Sequence, residues 1–417
     1  MERSPHPALV GRPVYLDYNA TTPVDPRVAA AMQDALMEFG NPSSAHSYGD
    51  VPRRLLARAR AQVAALLGGS PGEVVFMASG SEADALAVRG AVLARAAAVP
   101  GRPHVITQPT EHPAVLAACA YLQRWHDVEV TYLPVDRFGR VDPGDVRAAL
   151  TPSTVLVTVM QANNETGTLQ PISDIAEVTR PRGVLLHTDA AQSTGKVDVD
   201  VDRLGVDLLT VVGHKMYAPK GIAALYVRSG AALEPLIGGG GQEGGLRAGT
   251  ENVALAQALG AAADLAVQAL ADGETARLTA LRDQLHTALD ALLPGRVHLQ
   301  GHPVHRLPNT LNVRVEGATG RDLLAAAPGV AASTGSACHA GDDQPSTGLL
   351  ALGLTAAQAG AALRLTAGRW TTPDELAAAA RRLRDAHASV TGTLKAPNRP
   401  PQPSEAGWGR PLRGHRG

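Results

Sequence analysis

The segment Asp207-Leu-Leu-Thr-Val-Val-Gly-His-Lys-Met-Tyr-Ala-Pro-Lys-Gly221 indicates both how the chain folds and where its chemistry lies. An apolar run over 206–212 predicts a buried strand, and a second apolar run over 222–227 follows at hairpin distance. Lys215 stands at the buried end of the first strand. Burial disfavours the ammonium form, which is what an imine-forming lysine needs. Lys215 is the best placed of the chain's four lysines, which are Lys196, Lys215, Lys220 and Lys395.

Composition excludes several classes of protein. The chain has 417 residues and a formal net charge of −1, so its charge suggests neither nucleic acid nor an anionic membrane as a direct partner. We expect no membrane span, because Arg, Asp and Gly break the alanine-rich runs before about 20 apolar residues accumulate. Residues 1–13 lack the apolar core of a signal peptide. Two cysteines, Cys119 and Cys338, argue against a disulfide framework and for a reducing cytoplasm.

Apolar strand-like runs alternate with helical patterns through the first two thirds of the chain. The strands are predicted over 73–77, 104–107, 155–160 and 184–189, and each leads into a polar stretch. This alternation is typical of a doubly wound α/β sheet, in which ligands bind beyond the carboxyl ends of the strands. The candidate site residues at or just past such ends are Gly80, His112, Asn163, Asp189 and Lys215.

The turn around Gly80 and Ser81 has two interpretations. Ser81 and Asp84, three residues apart, predict a capping box at the start of a helix. Free N–H groups there could bind a phosphate, although an ordinary capped helix would look the same. Asp189 likewise could be half of a structural ion pair. Together with Lys215 and His112, these residues are the groups expected of a pyridoxal phosphate enzyme: an imine-forming lysine, a carboxylate for the pyridine nitrogen and an anion site.

The chain divides into four predicted parts. Residues 1–13 are expected to form a flexible arm and residues 14–260 the large cofactor-binding domain. Residues 14–25 could pack on the small domain. The glycine-rich stretch 237–251 predicts a loop, and a long helix over 252–271 bridges into a small domain assigned to 261–395. The Pro-, Gly- and Arg-rich segment 396–417 is expected to be disordered.

Eleven short motifs, in order along the chain, resemble the cysteine desulfurase group of class V aminotransferase-fold enzymes, which includes selenocysteine lyase. They are Leu16-Asp-Tyr-Asn-Ala-Thr-Thr-Pro23, Gly40-Asn-Pro-Ser-Ser44, Ser79-Gly-Ser-Glu82, Thr110-Glu-His112, Asn163-Asn-Glu165, Thr188-Asp-Ala-Ala-Gln192, Gly213-His-Lys215, Gly239-Gly-Gly-Gln-Glu243, Arg247-Ala-Gly-Thr-Glu-Asn252, Ser333-Thr-Gly-Ser-Ala-Cys338 and Ala362-Leu-Arg-Leu-Thr-Ala-Gly-Arg369. The resemblance implies fold type I of pyridoxal phosphate enzymes: an α/β large domain with a mostly parallel seven-stranded sheet flanked by helices, and a smaller α+β C-terminal domain.

The resemblance also implies roles for individual residues. Lys215 would form the Schiff base, Asp189 would pair with the pyridine nitrogen and His112 would stack on the ring. The resemblance places Gln192 and Asn163 near the ring hydroxyl. It places Gly80, Ser81 and His214 near the phosphate, together with Thr250 of the partner subunit of a homodimer. Asn41 and Arg364 would contact the substrate, and the planar guanidinium of Arg364 suits a carboxylate.

Cys338 would be the nucleophile that takes sulfur from L-cysteine as a persulfide and leaves L-alanine. Gly335 and Gly341 flank it, which favours an exposed loop, whereas Cys119 lies in an apolar helical segment and is expected to be a buried small hydrophobe. The implied acceptor of the sulfur is a partner such as an iron–sulfur scaffold or a tRNA-thiolation protein.

Departures from the group's pattern keep other activities open. Val212 occupies a position where these desulfurases usually carry a phosphate-contacting serine, and the 338–346 segment is more similar to selenocysteine lyase. Selenocysteine lyases can have Asp after the stacking histidine, however, where this chain has Pro113. The alternatives are selenocysteine lyase, another lyase or aminotransferase of the fold in which Cys338 is incidental, and a cofactor-binding scaffold without turnover.

Overall fold

The computed structural model describes residues 4–334 and 345–392. Cys338 and the segment 396–417 lie outside the described residues. The strands are β1 Val14–Tyr15, β2 Val74–Met77, β3 His104–Thr107, β4 Glu129–Tyr132, β5 Thr154–Thr158, β6 Leu185–Asp189, β7 Leu208–Val212, β8 Ala223–Val227, β9 Val297–Gln300, β10 Thr310–Val315, β11 Val330–Ala331 and β12 Ala362–Thr366.

Helices cover both faces of the larger of the chain's sheets and one face of the smaller unit. They are α1 Pro26–Leu36, α2 Asp50–Leu67, α3 Gly80–Ala85, α4 Ala91–Arg95, α5 Pro113–His126, α6 Pro143–Ala149, α7 Ile172–Thr179, α8 Val201–Leu204, α9 Val253–Ala271, α10 Glu274–Leu292, α11 Gly320–Ala326, α12 Thr347–Ala351, α13 Ala356–Gly360 and α14 Pro373–Val390. A π-helical turn, Leu86–Gly90, joins α3 to α4.

A seven-stranded sheet of order β2-β8-β7-β6-β5-β3-β4 forms the centre of the larger unit. Neighbouring strands are parallel except where β8 pairs with β2 and β7. The central strands are buried along their whole length because α2, α7 and α9 cover one face and α3, α4 and α5 the other. The predicted α/β sheet, including the hairpin formed by β7 and β8, is confirmed.

The smaller unit is built on the antiparallel sheet β12-β10-β9, against which α10, α11 and α14 pack. Chain segments distant in sequence extend it: β1 pairs in parallel with β11, and Asp17 forms a bridge to Thr366 at the end of β12. The N-terminal strand therefore lies on the smaller unit before the chain enters the larger one at α1.

Helix α9 corrects the expectation that no apolar stretch is long enough to cross a membrane. Its 19 residues have a mean hydropathy of 1.5, which meets the length and apolarity of a span even though Gly260 and Asp264 interrupt it. The helix packs against α1 and α2 in the core of the larger unit. Gly260 permits this packing, since a Cβ there would lie 2.7 Å from Cα of Ala59. The apolarity of α9 serves a core position.

The described part of the N-terminal arm is anchored, although a flexible arm was expected over 1–13. His6 is buried; its Nε2 lies 2.9 Å from the carbonyl oxygen of Val24, and its ring packs edge-on against Trp370. One histidine thus ties the arm to the start of α1 and to the smaller unit.

Candidate active site

A cavity of about 710 Å³ lies at the carboxyl ends of the parallel strands, and Lys215 is in its wall. After β7 the chain makes one tight turn, Gly213–Lys215, in which a Cβ on Gly213 would lie 2.8 Å from the carbonyl oxygen of Ile222. This close approach requires glycine and brings the next two side chains into the cavity. Nζ of Lys215 donates to the carbonyl oxygens of Asn19, at 2.5 Å, and Ala20, at 2.9 Å.

Asp189, the last residue of β6, forms the buried acidic part of the cavity wall. Its Oδ1 accepts the N–H of Ala191 at 2.9 Å. Burial raises the pKa of Asp189, and the charges of His112 and Lys215 oppose that rise. A cationic ligand group facing this carboxyl would be favoured, because it would stabilise the carboxylate in place of the lost solvation.

His112 caps helix α5 and faces the same cavity. Its Nδ1 accepts the N–H of Ala114 at 3.2 Å, so Nδ1 carries no proton in this arrangement. Burial lowers the pKa of His112; Lys215 acts in the same direction and Asp189 against it. The imidazole therefore presents a neutral, flat surface to the cavity.

Gly80, Ser81 and His214 also line the cavity, as does Val212. A Cβ on Gly80 would lie 2.6 Å from Cγ2 of Val212, so the apolar side chain at 212 fits only because residue 80 is glycine. Nδ1 of His214 lies 3.1 Å from Oγ1 of Thr21. Burial, with the charges of Lys215 and other lysines, lowers the pKa of His214 to about 4, so its imidazole is neutral near pH 7.

The helix at this turn is not capped by Ser81 and Asp84, as the sequence suggested. Oγ of Ser79 accepts the N–H of Glu82 at 3.2 Å, and Oε2 of Glu82 accepts the N–H of Ala78 at 2.7 Å. The cap therefore begins two residues earlier, which leaves Ser81 at the cavity surface and turns Asp84 inward. Asp84 is buried, and burial together with nearby Asp189 raises its pKa well above the usual range.

Gln192 lines the cavity, but Asn163 does not. Oδ1 of Asn163 accepts the N–H groups of Glu165 and Thr166, and its Nδ2 donates to the carbonyl oxygen of Thr110 at 3.0 Å. The side chain is used in holding the loop after β5 together. The next residue, Asn164, occupies the cavity wall in its place.

Arg364, in the middle of β12, brings the smaller unit to the cavity. Its side chain is 2% exposed; Nη2 donates to Oδ1 of Asp17 at 2.8 Å and Nη1 to the carbonyl oxygen of Asn164 at 3.1 Å. These contacts fix the plane of the guanidinium. A buried cation in the cavity wall is suited to an anionic group of a substrate.

Two predicted residues lie elsewhere. Asn41 and Thr250 are exposed and do not line this cavity; Oδ1 of Asn41 accepts the N–H of Ser43 at 2.8 Å within its own turn. Cys338 lies outside the described residues. The chain on its C-terminal side, 345–348, forms part of the cavity wall.

Sequence reasoning missed Asn19, Glu111 and Asp84, all of which line the cavity. Glu111 is buried, and burial raises its pKa to about 8. The signal for Glu111 was available, since it directly precedes His112 at the end of a strand. Asn19 carries no such signal, because it reaches the site from a segment remote from the strands of the larger sheet.

Comparison with known proteins agrees with this geometry. The family model described as aminotransferase class-V matches residues 14–378. The chain belongs to the class-V aminotransferase family. It is 42% identical to the cysteine desulfurase IscS of Dictyoglomus turgidum over 88% of this chain and 92% of that protein, and 43% identical to the cysteine desulfurase IscS of Pseudomonas aeruginosa (strain UCBPP-PA14) over 90% and 92%.

Solved structures show the same fold. A NifS-like protein superposes with a TM-score of 0.82 at 32% identity, over 89% of this chain and 98% of that one. A structure described as SspA in complex with cysteine superposes with a TM-score of 0.75 at 35% identity, over 86% and 99%. The predicted family resemblance and fold type I are confirmed.

The cysteine desulfurases of this family depend on pyridoxal phosphate, and the cavity's side chains fit that cofactor. The donor set supplies an amine for the aldehyde in Lys215 and a buried carboxyl for the pyridine nitrogen in Asp189. Ser81 and His214 supply polar groups to the cavity wall, where the phosphate would lie.

Proposed function

We propose that the chain is a pyridoxal phosphate-dependent cysteine desulfurase, which converts L-cysteine to L-alanine and passes the sulfur to Cys338. The observation that carries the proposal is one cavity that holds Lys215, Asp189 and the buried guanidinium of Arg364. Relatives more than 40% identical over most of the chain carry the desulfurase name, and a structural neighbour is described as a complex with cysteine.

The side chains divide the work by position. Bound pyridoxal phosphate supplies an electron sink for the substrate's bonds. Arg364 binds the substrate carboxylate and so fixes which of the substrate's bonds faces the cofactor plane. Nζ of Lys215 would hold the cofactor and could move a proton, His112 would lie against its ring, and the carboxylate of Asp189 would favour a proton on the ring nitrogen.

Cys338 completes the reaction in this proposal. Its thiolate attacks the substrate sulfur, so that an S–S bond forms while the substrate's C–S bond breaks, and the carbon takes up a proton to become alanine. The persulfide then passes its outer sulfur to an acceptor thiol. Residues 345–348, which begin seven residues after Cys338 in the sequence, line the cavity wall and support this role for the cysteine.

Alanine formation by the loaded enzyme tests the proposal. L-cysteine and L-selenocysteine are supplied in parallel to the natural chain and to Cys338→Ala, with Cys119→Ala as the matched cysteine control. We expect turnover of cysteine that is lost in Cys338→Ala and retained in Cys119→Ala. Turnover confined to selenocysteine and retained in Cys338→Ala would identify a selenocysteine lyase. No alanine from either substrate would contradict both activities.

The proposed enzyme is a cytoplasmic homodimer that delivers sulfur to a protein acceptor, such as an iron–sulfur scaffold or a tRNA-thiolation protein. Thr250 and Asn41 are exposed outside the chain's own cavity, as expected of residues that serve a partner's site. An exposed apolar patch supports a self-contact: Met37 is 79% and Phe39 81% exposed, and Leu36 and Tyr48 lie beside them. Light scattering that gives the mass of one chain would contradict the homodimer.

A further inference from the structure

Lys196 is a buried lysine near the cavity, and nothing in the proposed reaction uses it. Its side chain is 5% exposed, and it forms no ion pair with any residue in 4–334 or 345–392. Burial lowers its pKa to about 7, and the charge of Lys215 adds to that effect. A buried cation without a carboxylate costs folding free energy, so packing alone does not explain a lysine at this position.

The amine of Lys196 is directed at Gln192. Nζ donates to the carbonyl oxygen of Gln192 at 2.8 Å and lies 3.3 Å from its side-chain Oε1. On the other side of the same amide, Nε2 of Gln192 donates to the carbonyl oxygen of Asn19 at 3.0 Å, and that oxygen also accepts from Nζ of Lys215. Four residues therefore form one chain of hydrogen bonds from Lys196 to the cofactor-binding lysine.

These hydrogen bonds determine which end of the Gln192 amide faces Lys196 and which end faces Asn19. In its protonated form the amine of Lys196 can only donate, so it favours the amide oxygen on its side, and the carbonyl oxygen of Asn19, which can only accept, favours the NH₂ on the other. The amide NH₂ must then face Asn19 and the cavity, where it can donate to an acceptor oxygen of the bound cofactor. Without Lys196, only the hydrogen bond to the carbonyl oxygen of Asn19 would hold the amide in this orientation, and Lys215 uses the same oxygen.

We propose that Lys196 is a positioning residue: its amine fixes the amide of Gln192 so that an N–H donor always faces the cofactor. This inference rests on the proposed function only in that the cavity binds pyridoxal phosphate. It assigns to Lys196 no contact with the cofactor or the substrate, since Lys196 does not line the cavity.

Equilibrium titration of the cofactor-free chain with pyridoxal phosphate tests the proposal without using turnover. We expect Lys196→Met to raise the dissociation constant about tenfold or more, as for loss of hydrogen bonding to a charged group. Thr275→Val is the matched control: Oγ1 of Thr275 donates to the carbonyl oxygen of Lys196 at 2.8 Å, so this variant loosens the same backbone without touching the amine. It should change the constant less than about twofold, because its hydrogen bond lies away from the cavity.

A double-mutant cycle with Gln192→Leu separates positioning from general damage. In the Gln192→Leu background there is no amide to orient, so adding Lys196→Met should cause no further loss of cofactor affinity. An equal loss in both backgrounds would overturn the proposal, as would a Lys196→Met variant that binds like the natural chain. If Lys196→Met does not fold, Lys196→Gln in the same cycle gives the same readout. If the natural chain itself fails to bind the cofactor, it is the proposed function that fails.

Discussion

Three buried carboxyl groups line one cavity, and they cannot all be ionised. Oδ1 of Asp189 accepts the backbone N–H of Ala191, and the charges of His112 and Lys215 favour its ionised form. Asp84 and Glu111 each keep one oxygen, Oδ1 and Oε2 respectively, without a hydrogen-bond partner among the described residues. A proton on Asp84 and on Glu111 removes that cost and leaves the negative charge on Asp189. The acid that we propose for the ring nitrogen is thereby the one that stays charged.

Glu111 gives this distribution a measurable pH dependence. Because burial raises its pKa from 4.5 to about 8, the native state holds a proton that the unfolded chain has released. The resulting stability is full below pH 4.5 and is lost as the pH rises through 8. This loss should be absent in Glu111→Gln. The free energy of unfolding of the variant should therefore rise relative to that of the natural chain between pH 5 and 8, by roughly a few kcal/mol. Urea unfolding of the cofactor-free chains measures the difference.

The control for this series is Glu177→Gln, at an exposed position on α7, which should follow the natural chain at every pH. A Glu111→Gln curve parallel to that of the natural chain over the same range would mean that Glu111 is already ionised in the native protein.

Arg364 should tolerate no replacement by lysine. Its guanidinium is held in one plane by Asp17 and Asn164, whereas an ammonium offers a point charge without a planar fork. We expect Arg364→Lys to lower kcat/KM for L-cysteine by about 10- to 100-fold, mostly through KM, which corresponds to loss of a charged hydrogen bond. Arg314→Lys, on neighbouring β10, is the matched control and should be neutral; equal kinetics for both variants would show that the carboxylate binds elsewhere.

Most residues predicted for the site line the cavity, but the sequence did not predict the orientation of neighbouring side chains. Asn163 and Asn164 are identical in type and adjacent, and only the hydrogen bonds of the folded loop show that Asn163 holds the loop while Asn164 faces the cavity. The same holds for Ser79 and Ser81, either of which could cap the helix by spacing alone. With the helix start misplaced by two residues, Asp84 was interpreted as part of a cap, whereas it is buried in the cavity wall.

At the scale of elements, the glycine-rich loop 237–251 is anchored rather than free. Strand β2 is an edge strand, paired only with β8, and its outer N–H at Phe76 donates to Oε2 of Glu243 at 2.8 Å. Arg60 from α2 binds both oxygens of Glu243, at 2.7 and 2.8 Å, and also donates to the carbonyl oxygen of Val74. The loop therefore covers the open edge of the sheet.

Removing the carboxyl of Glu243 should destabilise the fold. Its side chain is 2% exposed, so Glu243→Ala leaves Arg60 and a strand N–H without their acceptor at a largely buried position. We expect a loss of about 3 kcal/mol in the free energy of unfolding, measured with urea. Asp50→Ala breaks an exposed pair with Arg53 and should cost less than about 0.5 kcal/mol. Similar losses in the two variants would mean that the loop contributes little to holding the edge.

The sequence predicted this loop's composition but not its anchor. Glycine content indicates close approach or flexibility, and both interpretations were open. The contact that decides between them joins residues 60, 76 and 243, which no local pattern connects. Helix α9 shows the converse: its existence and length followed from its apolar run, yet only its packing against α1 and α2 shows that the run serves the core.

At the scale of the whole molecule, the cavity lies where the two units meet, and Asn19 joins them. Its Nδ2 donates to Oγ1 of Thr310 at 3.0 Å and to the carbonyl oxygen of Asn164 at 3.2 Å, and its Oδ1 accepts from Asn309 at 3.0 Å. Its own carbonyl oxygen accepts from Lys215. Pairing of the N-terminal segment with strands 300 and more residues later is non-local, so hydrophobic periodicity could not predict it.

Asn19→Ala should therefore weaken the contact between the two units. Lys215 keeps its acceptor in this variant, because the backbone carbonyl oxygen of residue 19 remains. Loss of three buried side-chain hydrogen bonds should lower the free energy of unfolding by about 2–4 kcal/mol. It should also raise KM for L-cysteine, since Arg364 belongs to the unit that is released and Lys215 to the one that is not. The control is Asn252→Ala, which removes a single helix cap: Oδ1 of Asn252 accepts the N–H of Leu255 at the start of α9. This variant should lower the free energy of unfolding by about 1 kcal/mol and leave KM unchanged. Asn19→Ala with lowered stability and an unchanged KM would show that the substrate site does not depend on the join.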